Sequence, residues 1–235
     1  MDDPRLTADI AAALKPSGLV ARGWLAPEPG DAPMLARGKP AAAICLIGHG
    51  GGGFWPIFEA WWRMHPDASE PLDDWSKSVI APVAVSLGGE AAFPSDRPWQ
   101  PFQQWAMAAE GLRPSPLGLL IHPEFGLWHG YRGALLFDED ALGGPAATQK
   151  PVDAPDGSAN HPCDSCAGQP CLSACPVGAF SPRGFDVSSC RAYLATDAGA
   201  HGCMRTGCLA RDACPVGLRH RYGAAQIRFH MAAFQ

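Results

Sequence analysis

The chain carries no excess of positive charge. Its 18 Lys and Arg face 23 Asp and Glu, a formal net charge of −5, so bulk electrostatics gives no reason to expect a nucleic-acid partner. No apolar run approaches the roughly 18 residues of a membrane span, and no membrane partner is expected. Met1-Asp2-Asp3-Pro4 is acidic and lacks the apolar stretch of an export signal, so the expected location is cytoplasmic. No Walker-type loop and no Ser-His-Asp grouping stands out. What the chain has in quantity is Gly, Pro and Cys, at 27, 24 and 9 of 235 residues. A hydrophobic fraction of 47% excludes a disordered chain, and the length suits one large domain or two small ones. Nine cysteines without an export signal are expected to serve metal or catalysis rather than disulfides.

Trp and Cys divide the chain. All eight Trp lie between Trp24 and Trp128, and every Cys except Cys45 lies between Cys163 and Cys214. Between these regions a stretch rich in Gly, Pro, Ala and Asp reads as a linker over 143–159. The expected organisation is a mixed α/β cofactor- or partner-binding domain at 1–142, a cysteine domain at 160–215 and a basic tail helix within 216–235. In the first domain, helices are expected over 6–14, 54–64, 71–87 and 101–110. Strands are expected over 20–25, 41–47, 117–121 and 131–137. The second of these strands is apolar throughout, as a strand buried on both faces would be. Pro82 should kink the third helix, and the tail helix is expected from about 222 to 234.

The cysteines are spaced Cys163-x2-Cys166-x4-Cys171-x3-Cys175-Pro176, then Cys190, then Cys203-x4-Cys208-x5-Cys214-Pro215. The segment from Cys171 to Gly178 is echoed from Cys208 to Gly217, each ending Cys-Pro-Val-Gly. A repeat ending in Cys-Pro marks a two-cluster ferredoxin-type module, in which three close cysteines hold one cubane and the Cys before Pro reaches to the other. Thiolates are soft, charged donors suited to iron. That rule assigns Cys163, Cys166, Cys171 and Cys214 to one [4Fe–4S] cluster, and Cys175, Cys190, Cys203 and Cys208 to a second. Structural zinc is the rival, but only one Cys-x2-Cys knuckle is present where a zinc ribbon needs two. Neither zinc nor a disulfide framework explains the repeated Cys-Pro. Cys45, inside an apolar strand, reads as a small core residue.

The run Leu119-Leu120-Ile121-His122-Pro123-Glu124-Phe125-Gly126-Leu127-Trp128, followed by Cys163-Asp164-Ser165-Cys166 and Cys190-Arg191-Ala192-Tyr193-Leu194, resembles the epoxyqueuosine reductases. These join a cobalamin-binding domain to a two-[4Fe–4S] module. Pro71-Leu72-Asp73-Asp74-Trp75 faintly resembles the cblC-type cobalamin-processing proteins. The resemblance covers about 96–215 and is weak before that. It implies an α+β fold with a nitroreductase-like amino-terminal domain and a bacterial ferredoxin-like module. It implies an oxidoreductase or electron-transfer function, with a corrinoid (cobalamin) as acceptor and a protein redox partner as donor. It also implies a proton-donating role for Asp96, in Ser95-Asp96-Arg97-Pro98, where the alternative is a turn Asp before proline. The reductases' Glu-Arg pair is replaced by Phe102-Gln103, and their carboxy-terminal helical part has no counterpart here, so a tRNA substrate is not expected. The tail's Arg219, His220, Arg221, Arg228 and His230 could receive an acidic redox partner or form a solvated face.

Gly48-His49-Gly50-Gly51-Gly52-Gly53 fits G-x-G-x-x-G after an apolar strand. A dinucleotide site would use this bare backbone, but Pro56 and the lack of an evident βαβ unit weigh against it. A close approach of Gly50, Gly51, Gly52 and Gly53 to another flat cofactor, such as a corrin, is preferred to a dinucleotide, and an ordinary tight turn stays open beside it. His49 lacks an Asp two residues earlier, which a corrinoid-ligating motif needs, and reads as a turn histidine. His122 and His129 read as structural histidines. Trp55, Trp61 and Trp62 read mainly as core. Besides a corrinoid-reducing protein, a simple ferredoxin carrier and a zinc-stapled interaction protein remain open at this point.

Overall fold

The computed structural model describes residues 4–28, 30–143, 161–181 and 183–234. Almost all of the expected linker falls outside them. The chain divides into two compact units. One comprises residues 1–49, 53–111 and 130–156, and the other 50–52, 112–129 and 157–235. The segment 112–129 and the glycines at 50–52 thus group with the cysteines rather than with the Trp-rich part of the chain.

The first unit mixes helix and strand. Helix α1 spans Pro4–Leu14, followed by strands β1 (Val20–Leu25) and β2 (Ala43–Gly50). Helices α2 (Trp55–Met64) and α3 (Pro71–Ser86) come next, then β3 (Glu90–Ala92) and α4 (Phe102–Glu110). Strands β4 (Arg113–Pro114) and β5 (Leu120–Ile121) follow in the chain but belong to the second unit, and β6 (His129–Phe137) returns to the first. The main sheet has the order β1-β2-β6-β3, with β1 antiparallel to β2 and β3 antiparallel to β6. Ala43 to His49 are buried at consecutive positions, so β2 is covered on both faces, as its unbroken apolar run requires. The core gathers Ile44, Leu46, Ile47, Phe54, Phe58, Trp75 and Phe137, each at most 2% exposed. Helix α3 starts with Pro71 in its first turn, where a missing N–H costs nothing. It runs through Pro82, which is exposed. The expected strand over 117–121 shrinks to the two residues of β5, because Gly118 adopts φ 76° and turns the chain.

The second unit is built from very short elements. The β4–β5 pair sets Arg113 opposite Ile121. Helix α5 (Pro170–Ser173) is followed by strands β7 (Phe180–Ser181) and β8 (Gly184–Phe185), which place the rings of Phe180 and Phe185 in a stack 4.7 Å apart. Helices α6 (Val187–Leu194), α7 (Asp197–His201), α8 (Cys203–Thr206) and α9 (Leu209–Asp212) come next, and α10 (Ala224–Ala232) closes the unit. Helices α6 and α7 start at Asp186 and Thr196, whose side chains accept from Ser189 N and Gly199 N at 3.0 and 3.1 Å. Helix α5 packs on α9 and α8 on α10. Among the described residues no helix is long and apolar enough to cross a membrane.

Candidate metal centre

The sequence repeat is a structural repeat. Each copy has a four-residue helix (α5, which contains Cys171, or α9, which follows Cys208), then Cys-Pro-Val-Gly, and the glycine is left-handed in both, with φ 58° at Gly178 and 72° at Gly217. The helices of the two copies lie against each other. Cysteines from both copies share one core. Leu117, Ile121, Leu127, Ala210 and Cys214 form its buried centre, with Cys163, Cys171, Cys175 and Cys208 packed against it. Cys190 and buried Cys203 belong to a neighbouring cluster with Trp128, Leu194, Tyr222, Ile227 and Met231.

The eight cysteines sort into two sets. Cys163, Cys166, Cys171 and Cys214 line one apolar pocket. Cys190 and Cys208 line another. Burial raises the pKa of the Cys163 thiol to about 11, and Cys214, Cys171 and Cys166 add to the rise. Burial, Cys214 and Cys166 raise Cys171, and burial and Cys166 raise Cys214. In the other set, Cys190 is raised by burial and then by Cys208, Cys175 and Cys203, and Cys208 by burial, Cys203 and Cys175. Every cysteine that raises another belongs to the same set.

Thiolates held this close together out of water would repel one another, and a bound cation would relieve that repulsion. Backbone amides already converge on the sulfurs. Ala179 N donates to Cys175 Sγ at 3.3 Å, Ala210 and Arg211 amides to Cys208, and the Val216 amide to Cys214. Such bonds favour thiolate and tune a cluster's potential. All nine cysteines are free thiols, so none is paired as a disulfide. Among the described residues no three His, Cys, Asp or Glu side chains close on a point that could hold a metal ion. Cys45 is fully buried in β2, as a core residue.

The other candidates fare differently. Asp96 is about half exposed and pairs with Lys77, whose Nζ lies 2.5 Å from its carboxylate. It is not buried in a cofactor pocket. In the glycine loop, a Cβ on Gly50 would meet the Phe125 ring at 2.5 Å, and one on Gly52 would meet Gln226 Oε1 at 2.9 Å. Gly51 has φ 71° and donates to Trp128 O at 2.6 Å. Protein therefore occupies the close approach at Gly50 and Gly52, and Gly53 has nothing within 4 Å of its Cβ position. Nor does β2 lead into a βαβ unit, since the next strand, β3, lies beyond β6. His49 is buried in β2 with its ring 4.3 Å from that of Phe54, rather than in a turn.

His122 Nδ1 accepts from the Glu124 and Phe125 amides, and His129 bonds Leu120 O, which are structural roles. Trp55 is buried, while Trp61 stacks on His65 and Trp62 on Phe58. In the tail, Arg219 pairs with Glu124 and Arg221 with Asp212, so two of the basic residues are committed within the unit. Arg228 is exposed.

Two arrangements had no local signal in the sequence. Arg22 donates to Glu110 Oε2 and to His49 O, both at 2.8 Å, and Tyr131 Oη donates to Glu110 Oε1 at 2.6 Å. These partners are far apart in the chain and meet only in the folded first unit. The guanidinium of Arg211 lies over Trp128 and Tyr222, at 4.3 and 4.8 Å from their ring centroids. Comparison with protein-family models gives no match, and comparison with curated proteins gives none.

Proposed function

We propose that the protein is an iron–sulfur electron-transfer protein holding two [4Fe–4S] clusters. The observation that carries this reading is the position of Cys214. It follows Cys208 in the chain, yet it lines the pocket of Cys163, Cys166 and Cys171, as the exchange of Cys-Pro ligands between two clusters requires. The donor chemistry fits, with eight thiols, amides directed at sulfur and an apolar surround. When bound, the clusters supply one-electron transfer. The chain's own contribution is to exclude water with Leu117, Ile121 and Leu127 and to hold the thiolates with backbone N–H groups.

The resemblance to epoxyqueuosine reductases supports a corrinoid as acceptor, with electrons arriving from a protein donor. A simple carrier function is the second reading. It is favoured by the engagement of Gly50 and Gly52 with protein and by the exposed ion pair of Asp96.

Anaerobic purification with metal and sulfide analysis tests the clusters. The expected result is a brown protein with about eight irons per chain and broad absorbance near roughly 400 nm. A colourless protein loaded with zinc would overturn the proposal. Cobalamin titration then separates the two readings. A spectral change and Co(II) reduction support the corrinoid, and no binding leaves the carrier.

A further inference from the structure

The two cysteine sets differ in the space beside them. The pocket of Cys163, Cys166, Cys171 and Cys214 has a volume of about 20 Å³. The pocket that Cys190 and Cys208 line has about 230 Å³. The second pocket is the roomier of the two. That space is bordered by residues that belong to neither set, namely Trp128, Tyr222, Ile227, His230, Met231 and Phe234. Its aromatic and aliphatic walls suit a flat apolar body. Arg211 also lines it, and among the described residues no Asp or Glu does.

The guanidinium of Arg211 is fixed. It lies over Trp128 and Tyr222, and its Nε and Nη2 both donate to Leu127 O, at 3.1 and 2.5 Å. Nη1 is left for an incoming acceptor. A held, partly buried cation in an apolar pocket selects an anionic group carried on a hydrophobic ring system, because charge-assisted hydrogen bonds strengthen as water is excluded.

We propose that this pocket binds a small planar aromatic carboxylate, with the carboxylate on Arg211 and the rings against Trp128 and Tyr222. The inference rests on the two-cluster reading, which places a cluster at Cys190 and Cys208, on the wall of this same pocket. The bound molecule would lie beside Cys190 and Cys208, where it could influence or sense the cluster they hold.

The test is calorimetric titration of anaerobic, iron-analysed protein with 2-naphthoate, using 2-naphthylmethanol as the neutral molecule with the same rings. The expected result is saturable one-site binding of the acid, at least about tenfold tighter than the alcohol. Arg211→Gln should bring the acid down to the affinity of the alcohol without loss of iron. Because Arg211 also supports the Leu127 carbonyl, Met231→Trp provides a second variant. It leaves Arg211 in place, fills the space and should abolish binding of both molecules at unchanged iron content. Iron-loaded protein that ignores 2-naphthoate, or binds acid and alcohol alike, would overturn this inference alone. Iron-free protein that still binds 2-naphthoate through Arg211 would overturn the cluster reading alone. Iron-free protein that binds neither would overturn both.

Discussion

Cys214 and Cys208 are neighbours in the chain that belong to different pockets, and paired substitutions can separate sequence proximity from ligand sharing. Removing two ligands of one cluster should do no more harm than removing one, whereas removing ligands of different clusters should add. Cys163→Ser/Cys214→Ser is therefore expected to keep about four irons per chain, like either single variant, and Cys163→Ser/Cys208→Ser to keep almost none. Iron analysis and the spectrum of the reduced protein decide. The opposite pattern would mean that ligands group by sequence order.

A second residue-scale expectation concerns glycine. Gly126 has φ 58°, and a Cβ there would stand 2.0 Å from Val216 O. Gly118 has φ 76° but nothing within 4 Å. Gly118→Ala should cost only left-handed strain, about 1–2 kcal/mol. Gly126→Ala should cost clearly more in a urea melt, and equal losses would mean that the clash is relieved. The structural repeat around the cysteines was legible in the sequence because Cys spacing and the Cys-Pro repeat are local patterns. The exposure of Asp96 was not, because Lys77 lies on a helix well before it in the chain and meets it only after folding.

Elements follow the sequence closely where apolar periodicity is long. Helix α3 shows Leu72, Trp75, Val83 and their neighbours buried on one side, and strand β2 is buried throughout. Trp75 is 2% exposed and lies 5.6 Å, centroid to centroid, from both Phe54 and Phe58. Trp75→Ala should cost about 3–5 kcal/mol in equilibrium unfolding, and a loss under 1 kcal/mol would mean that the site collapses around the deletion. Periodicity gave no purchase on the second unit, whose elements are mostly two to five residues long and are held by caps, turns and cysteines.

The end of β6 carries a pH-dependent contact. The Ala141 amide donates to Asp138 Oδ1 at 3.0 Å, and Arg37 Nε stands 2.5 Å from Oδ2. The amide first, and the Arg37 charge after it, hold the Asp138 carboxyl below the ordinary carboxylate range. A lowered folded-state pKa contributes stability above the unfolded-state value, and this is lost as pH falls through the folded-state value. Stability should therefore decline below about pH 4. Asp138→Asn should flatten that decline, and an identical acid profile in the variant would refute the contribution.

At the scale of the whole molecule, the two units differ in what can hold them together. The first has large buried aromatic and aliphatic side chains in sheet and helices. The second buries two of its own proposed ligands, Cys203 and Cys214, and includes helices of only four or five residues. Helices that short do not persist alone, and a small core without a staple is marginal. If eight thiolates are ligands, metal binding and folding of the second unit are one equilibrium. The division of Trp from Cys along the sequence only approximates this, since Trp128 lies in the second core and Cys45 in the first. It could not show that 50–52 and 112–129 join the second, since that follows from long-range packing such as Phe125 against Gly50 and Gly217.

The expected outcome is two thermal transitions in the anaerobic holoprotein, with iron removal abolishing only one. Limited proteolysis of iron-free protein should cut within 161–234 while a core containing β1, β2 and α3 survives. Iron-free protein that keeps both transitions and resists cleavage in 161–234 would show that the cysteine unit folds on side-chain packing alone. The metal would then be a passenger on the fold rather than its support.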